Sequence, residues 1–177
     1  MNNQSSSDLF HKNRSKLREY INEYSMVLLF SNQSMPRNGD QTFPYREDSD
    51  FYYFTGIEQE NSALLMTSKD DILFIPHQSE TNKLWEGEKA TPEKAHKTSG
   101  IELVEDIQKL DKIFAHHASQ YKQALFNITL PINQHRITSV NESYFNHFRA
   151  NFPVLSFSTI KPTIDQLRIK KEYEEIE

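Results

Sequence analysis

Apolar and polar positions fall into short alternating blocks along this chain, and the blocks predict helices and strands in turn. Asp8 to Tyr24 reads as an opening helix, with Phe10, Leu17, Tyr20, Ile21 and Tyr24 at helical spacing and Asp8 as its cap. Ser25 to Ser31 is a compact apolar run, the pattern of a buried strand. Asn32 to Asp48 is loop by composition, punctuated by Pro36, Asn38-Gly39 and Pro44. Phe51 to Phe54 reads as an aromatic strand whose alternate residues face core and solvent, closed by a turn at Gly56. Ala63 to Thr67 and Ile72 to Pro76, joined by Ser68-Lys69-Asp70-Asp71, predict a hairpin.

The second half repeats the alternation. His77 to Gly100 is mostly loop, but Thr91-Pro92-Glu93 opens a helix, with Thr as cap and Pro at the first position, and Gly100 ends it. Ile101 to Val104, Ala124 to Thr129 and Val154 to Phe157 read as strands. Asp106 to His116, with Ile107, Leu110 and Phe114 inward, and Asn141 to Ala150, with Tyr144, Phe145 and Phe148, read as helices. From Ile160 the chain turns polar and charged. The order of elements gives an α/β fold: a mixed β-sheet flanked by helices.

Composition narrows the chemistry. The 177 residues suit one domain with its own core. Aromatic residues at 12% offset a modest apolar content of 36%. With only four glycines there is no glycine-rich phosphate cradle. A formal charge of −5 with mixed signs argues against a nucleic-acid partner. The absence of cysteine excludes a disulfide scaffold, a thiolate zinc site and a cysteine nucleophile. The polar start, Met1 to Ser7, lacks the apolar core of a signal peptide and reads as a disordered tail. Met26 to Phe30 is far shorter than the roughly 20 residues a bilayer takes. The expectation is a soluble, cytoplasmic protein with no membrane partner.

No catalytic centre is visible. Adjacent His116 and His117 on a helix point about 100° apart, a poor pair for one ion. The other histidines, His11, His77, His96, His135 and His147, stand singly as surface or packing residues. Acid pairs such as Asp70-Asp71 and Glu174-Glu175 sit in turn or terminal contexts, and the serines lack a nucleophile-elbow motif. One stretch stands out. From Phe43 to Gly56, FPYREDSDFYYFTG packs aromatics, one arginine and several acids between a loop and an apolar segment.

That stretch resembles the signature of the N-terminal domain of bacterial aminopeptidase P, in the creatinase/prolidase pita-bread superfamily. There a Tyr-Arg pair precedes Ser-Asp-Phe, aromatics and Thr-Gly, matched here by Tyr45, Arg46, Asp50, Phe51 and Gly56. Three further matches follow in order: the hairpin around Ala63 to Pro76, Leu84-Trp85-Glu86-Gly87, and Leu167-Arg168-Ile169-Lys170-Lys171 with Glu174-Glu175-Ile176. The last is similar to the junction that opens the family's catalytic domain. Glu172-Tyr173 depart from the Ser-Pro often found there.

The resemblance implies a sheet with a ribonuclease H-like motif and a division into a 1–7 tail, an 8–160 domain, and a 161–177 linker that starts a missing catalytic domain. It implies a parent Xaa-Pro aminopeptidase acting on peptides with proline second. Two divalent metal ions, manganese by family habit, would sit in that missing domain, with none bound by this chain. It implies a homo-oligomer, dimer or tetramer, and a role for this domain in assembly and in shaping the substrate mouth. Asp40 and Trp85 are the candidate substrate-binding residues; Trp85 as a packing anchor for its loop is the competing reading. Tyr45 and Arg46 would fix the loop. Two alternatives stay open: the N-terminal domain of an Xaa-Pro dipeptidase, and that of a metal-free pita-bread relative that binds a protein partner.

Overall fold

The computed structural model describes residues 3–77, 90–130 and 138–169. Trp85, its neighbours Leu84 and Gly87, His135 and the terminal Lys170 to Glu177 lie outside the described residues. The chain runs α1 (Asn3–Arg18), β1 (Ser25–Phe30), β2 (Pro36–Asn38), β3 (Gln41–Thr42), α2 (Ser49–Thr55), β4 (Ala63–Met66) and β5 (Asp71–Ile75). It continues through α3 (Pro92–Ser99), β6 (Leu103–Asp106), a 3-10 turn (Ile107–Lys109), α4 (Leu110–Ala118), β7 (Gln123–Phe126), α5 (Val140–Asn151), β8 (Ser156–Thr159) and α6 (Lys161–Ile169). Six strands form one sheet in the order β6-β5-β4-β1-β7-β8. Strand β4 runs antiparallel to β1 and to β5, while β1, β7 and β8 are mutually parallel. The mixed sheet flanked by helices is the expected fold.

Burial on both faces explains the continuous apolar runs. All six residues of β1 are buried, as an interior strand covered by helices on both sides requires. Val27 and Leu29 face one layer, with Leu17, Phe51, Phe54, Leu64, Leu125 and Ile164. Met26, Leu28 and Phe30 face the other, with Leu65, Phe114, Phe126, Phe145 and Phe148. The two-residue period of the strand thus divides the core between helices α1, α2, α3 and α6 and helices α4 and α5.

The hairpin is found where its turn residues predicted it, with Leu64 opposite Leu73. Thr91 caps α3 and Gly100 ends it in the left-handed region. Ser139 and Glu142 form a reciprocal capping box on α5. Helix α1 begins at Asn3 and stops at Arg18, so Asp8 lies inside it, while Tyr20 and Tyr24 are exposed. The 32–48 loop contains a small hairpin, β2–β3, with Asn38 paired to Gln41 and the turn at Gly39-Asp40, where Gly39 has φ 51°, a conformation glycine adopts without steric cost. The described part of the charged stretch after Ile160 is helical, and Ile164 is fully buried among the α1–α2 layer.

The largest departure is at the aromatic run. Phe51 to Phe54 is not a strand; it lies within helix α2. Asp48 accepts from the backbone N–H groups of Asp50 and Phe51, and Gly56 closes the helix at φ 66° by donating to the Tyr52 carbonyl. Cap and stop override the strand preference of consecutive aromatics. Phe51, Tyr53 and Phe54 are buried while Tyr52 is 42% exposed, a pattern that a two-residue period cannot produce.

Gly56 is also a point of close approach. A Cβ there would lie 2.1 Å from a ring carbon of Phe10, whereas one at Gly39 would meet nothing within 4 Å. Both glycines have positive φ, so alanine costs roughly 1–2 kcal/mol of backbone strain at either, but only Gly56→Ala must also displace a packed ring, at about 1–3 kcal/mol more. Urea unfolding should rank Gly56→Ala well below Gly39→Ala. Equal losses would mean that the Phe10 contact carries no energy.

Candidate functional site

The chemistry-bearing side chains of the signature gather around the start of α2, where three acids each tie down a different element. Glu47 is the first. Its carboxylate accepts from the backbone N–H of Asn32 at 3.1 Å, of Asp48 at 2.7 Å and of Gln59 at 3.0 Å, and from the Tyr45 hydroxyl at 2.6 Å. Burial pushes the Glu47 carboxyl up in pKa, opposed by these four donors. Burial, and then the hydrogen bond to Glu47, also hold the Tyr45 phenol well above its ordinary value. Tyr45 is therefore a neutral donor that ties the end of the loop to Glu47.

Asp48 is the second acid, the α2 cap. Asp50, two residues on in the first turn of α2, is the third and is 5% exposed. Its carboxylate accepts from Asn127 Nδ2 at 2.9 Å, just past β7, from Lys161 Nζ at 3.1 Å at the start of α6, and from Arg168 near the end of α6. Burial alone would raise the Asp50 carboxyl, but hydrogen bonds from Asn127, Lys161 and Arg168 outweigh it and hold it below the ordinary carboxylate range. One buried carboxylate thus joins α2, the end of β7 and both ends of α6.

The remaining predicted residues separate from this cluster. Phe51 is a core residue and Gly56 a helix stop. The Arg46 side chain is exposed; it serves the loop through its carbonyl, which accepts from Asn32 Nδ2 at 3.0 Å. Among the described residues no acid pairs with it. Asp40 is exposed at the β2–β3 turn, on a hairpin whose strand residues are all exposed. Exposed Met35 and Phe43 stand at its base, linked by a backbone hydrogen bond of 2.9 Å.

Sequence reasoning missed Glu47, Asp48, Asn127 and Lys161 as working residues. A signal existed for Asp48: Asp-Ser-Asp ahead of an apolar run that ends in Thr-Gly is a helix start and stop.

Elsewhere, an open cleft of ≈ 350 Å³ between α4 and α5 is lined by Leu110, Asp111, Ser143, Tyr144 and His147 among others. His147 lies 3.4 Å from Asp111 at its rim. Among the described residues no three His, Cys, Asp or Glu side chains converge as metal ligands. No helix among them is long and apolar enough to cross a membrane.

The sequence profile of the family described as aminopeptidase P, N-terminal domain, matches residues 10–126, which include every strand from β1 to β7 and the whole signature. The chain belongs to that family. Aminopeptidase P relatives agree along its length. The Xaa-Pro aminopeptidase of Haemophilus influenzae is 25% identical over 172 residues, 94% of this chain and 38% of the relative. That of Escherichia coli is 30% identical over 98 residues, 52% of this chain and 22% of the relative. In fold, the chain superposes on a Bacillus anthracis protein provisionally assigned as an aminopeptidase P, with a TM-score of 0.89 at 24% identity, covering 97% of this chain and 42% of that one. For Escherichia coli aminopeptidase P the TM-score is 0.80 at 21% identity, covering 97% and 40%. The chain therefore spans about two fifths or less of the aminopeptidase P proteins it resembles.

Proposed function

We propose that this chain is the N-terminal, non-catalytic domain of a metal-dependent Xaa-Pro aminopeptidase that releases the residue preceding proline from cytoplasmic peptides. The family match across residues 10–126 carries the reading, and relatives bearing the aminopeptidase name favour it over the dipeptidase. Similar structures include a zinc-substituted Escherichia coli aminopeptidase P in complex with product. In this reading the metal site belongs to a catalytic domain that follows; among the described residues no three His, Cys, Asp or Glu side chains converge as ligands. Two divalent ions, manganese in this reading, would supply water activation and carbonyl polarisation there. This domain's part is to support a homo-oligomer and to shape the substrate mouth with Asp40, at the tip of the exposed hairpin, and Trp85.

The test compares the full-length parent with the 177-residue chain on an Xaa-Pro peptide with added manganese. The full-length protein should cleave before proline and the chain alone should not. In the full-length protein, Asp40→Ala and Trp85→Ala should each reduce peptide turnover while leaving metal content and melting temperature near those of the parent. Proline-dependent cleavage by the repurified chain, or a full-length protein inert toward every Xaa-Pro peptide, defeats the reading. Unaltered kinetics in both variants on every peptide length defeats the substrate-mouth assignment.

A further inference from the structure

The acids of the signature connect two parts of the molecule that the hydrophobic core leaves loosely joined. One is the β2–β3 hairpin, an arm with no buried strand residue of its own. A two-stranded hairpin is marginal in isolation, so its direction must be set at its feet. Both feet are held by Glu47: Asn32 enters the arm and donates to it at 3.1 Å, and Tyr45 leaves the arm and donates at 2.6 Å. Asn32 Nδ2 closes the base by donating to the Arg46 carbonyl at 3.0 Å. The other part is α6. It places Ile164 fully in the core and Leu167 partly, an apolar hold of two residues on a nine-residue helix. Its two cations, Lys161 and Arg168, converge from opposite ends on Asp50.

Glu47, Asp48 and Asp50 lie within one short run, with Asp48 and Asp50 in the cap and first turn of the same helix. Deepening the reading above, in which the arm serves a catalytic site on the domain that follows, we propose that this run is a rigid joint fixing the arm's direction relative to α6. Asp50 is its positioning residue. A carboxylate suits that position because it can accept from Asn127, Lys161 and Arg168 at once, and because two cations on one buried anion hold both ends of a helix. Carboxamide at the same site offers one acceptor oxygen and no charge. The arm and α6 then move as one body, so whatever follows Ile169 meets the arm at a set angle.

The chain has no cysteine, which permits clean spin labelling at Asn38→Cys on the arm and at Ile169→Cys, a site 79% exposed at the end of α6. In the 177-residue chain, pulsed electron-electron distance measurement should give one narrow distribution. Asp50→Asn should widen it at least twofold, and Glu47→Gln should widen it by loosening the arm's feet. Arg168→Gln tests the same contact from a side chain 31% exposed, so it reads the joint even if Asp50→Asn fails to fold by circular dichroism. Lys109→Ala, which removes a surface pair with Glu105, should leave the distribution unchanged. A parent distribution already broad overturns the joint, as do Asp50→Asn or Arg168→Gln distributions that superimpose on the parent's in folded protein. No catalysis enters this measurement, so a failed peptidase assay sinks the proposed function alone.

Discussion

Replacing Arg14 with methionine will destabilise the domain by about 3–5 kcal/mol, the range for breaking a buried ion pair by removing one partner. Arg14 is 0% exposed. Its Nε donates to Asp71 at 2.9 Å and another guanidinium nitrogen donates to the Phe54 carbonyl at 2.7 Å. It therefore ties α1 at once to the start of β5 and to the last turn of α2, where orphan carbonyls and the negative end of the helix dipole favour a cation. Burial pulls the guanidinium down from its usual pKa, and Asp71 pushes it back. Methionine keeps most of the packing volume but leaves a carbonyl unpaired and Asp71 dependent on Arg18 alone. Arg18 is only part-buried, also bonds Asp71 and donates to the Thr67 carbonyl at 3.2 Å, so Arg18→Met should cost no more than about 1–2 kcal/mol. Lysine will not rescue position 14, because a single ammonium cannot reproduce the planar fork. Chemical denaturation of the three variants checks this; equal losses at positions 14 and 18 would show that Arg14's burial carries no special energy.

The fold was legible wherever the apolar pattern and a cap agreed. The β1 run, the 63–76 hairpin with its turn, and the helix between the Thr91 cap and Gly100 are each found in place. What the pattern could not reveal were partners distant in sequence. Arg14 lies 57 residues from Asp71, and Asp50 lies 77 from Asn127 and 118 from Arg168. Nothing local marks such pairs, because the sheet order β6-β5-β4-β1-β7-β8 brings them together only after folding. The same limit applies to the candidate site. The signature could be recognised as a unit, but not that its acids work as anchors: a run of charges between aromatics has the same composition whether it is solvated or buried. The partner of Tyr45, Glu47, is by contrast only two residues away. Arg46 meets the loop through its backbone carbonyl, a contact that no side-chain pattern can reveal.

Phe54→Ala will cost about 3–5 kcal/mol, as expected for a buried phenylalanine truncated in a packed core, and Phe51→Ala will cost about as much. Both side chains are 0% exposed and share the layer with Val27, Leu29 and Leu64. In a domain of ordinary stability, about 5–15 kcal/mol in total, either loss is a large share, on the order of 10 °C in Tm for a chain of this length. Tyr52 lies between them in sequence but on the outer side of α2, 42% exposed, its ring edge-on to Phe10 at 5.9 Å. Tyr52→Ala should therefore cost only about 1 kcal/mol, near the worth of one aromatic pair. The three variants together separate helix from strand. Along a strand, positions 52 and 54 share a face and would rise or fall together, opposite to 51. Along α2, positions 51 and 54 are neighbours on one face and 52 stands apart. A Tyr52→Ala loss that matched Phe54→Ala while Phe51→Ala stayed near zero would restore the strand and remove the helix on which Asp48 and Asp50 are mounted.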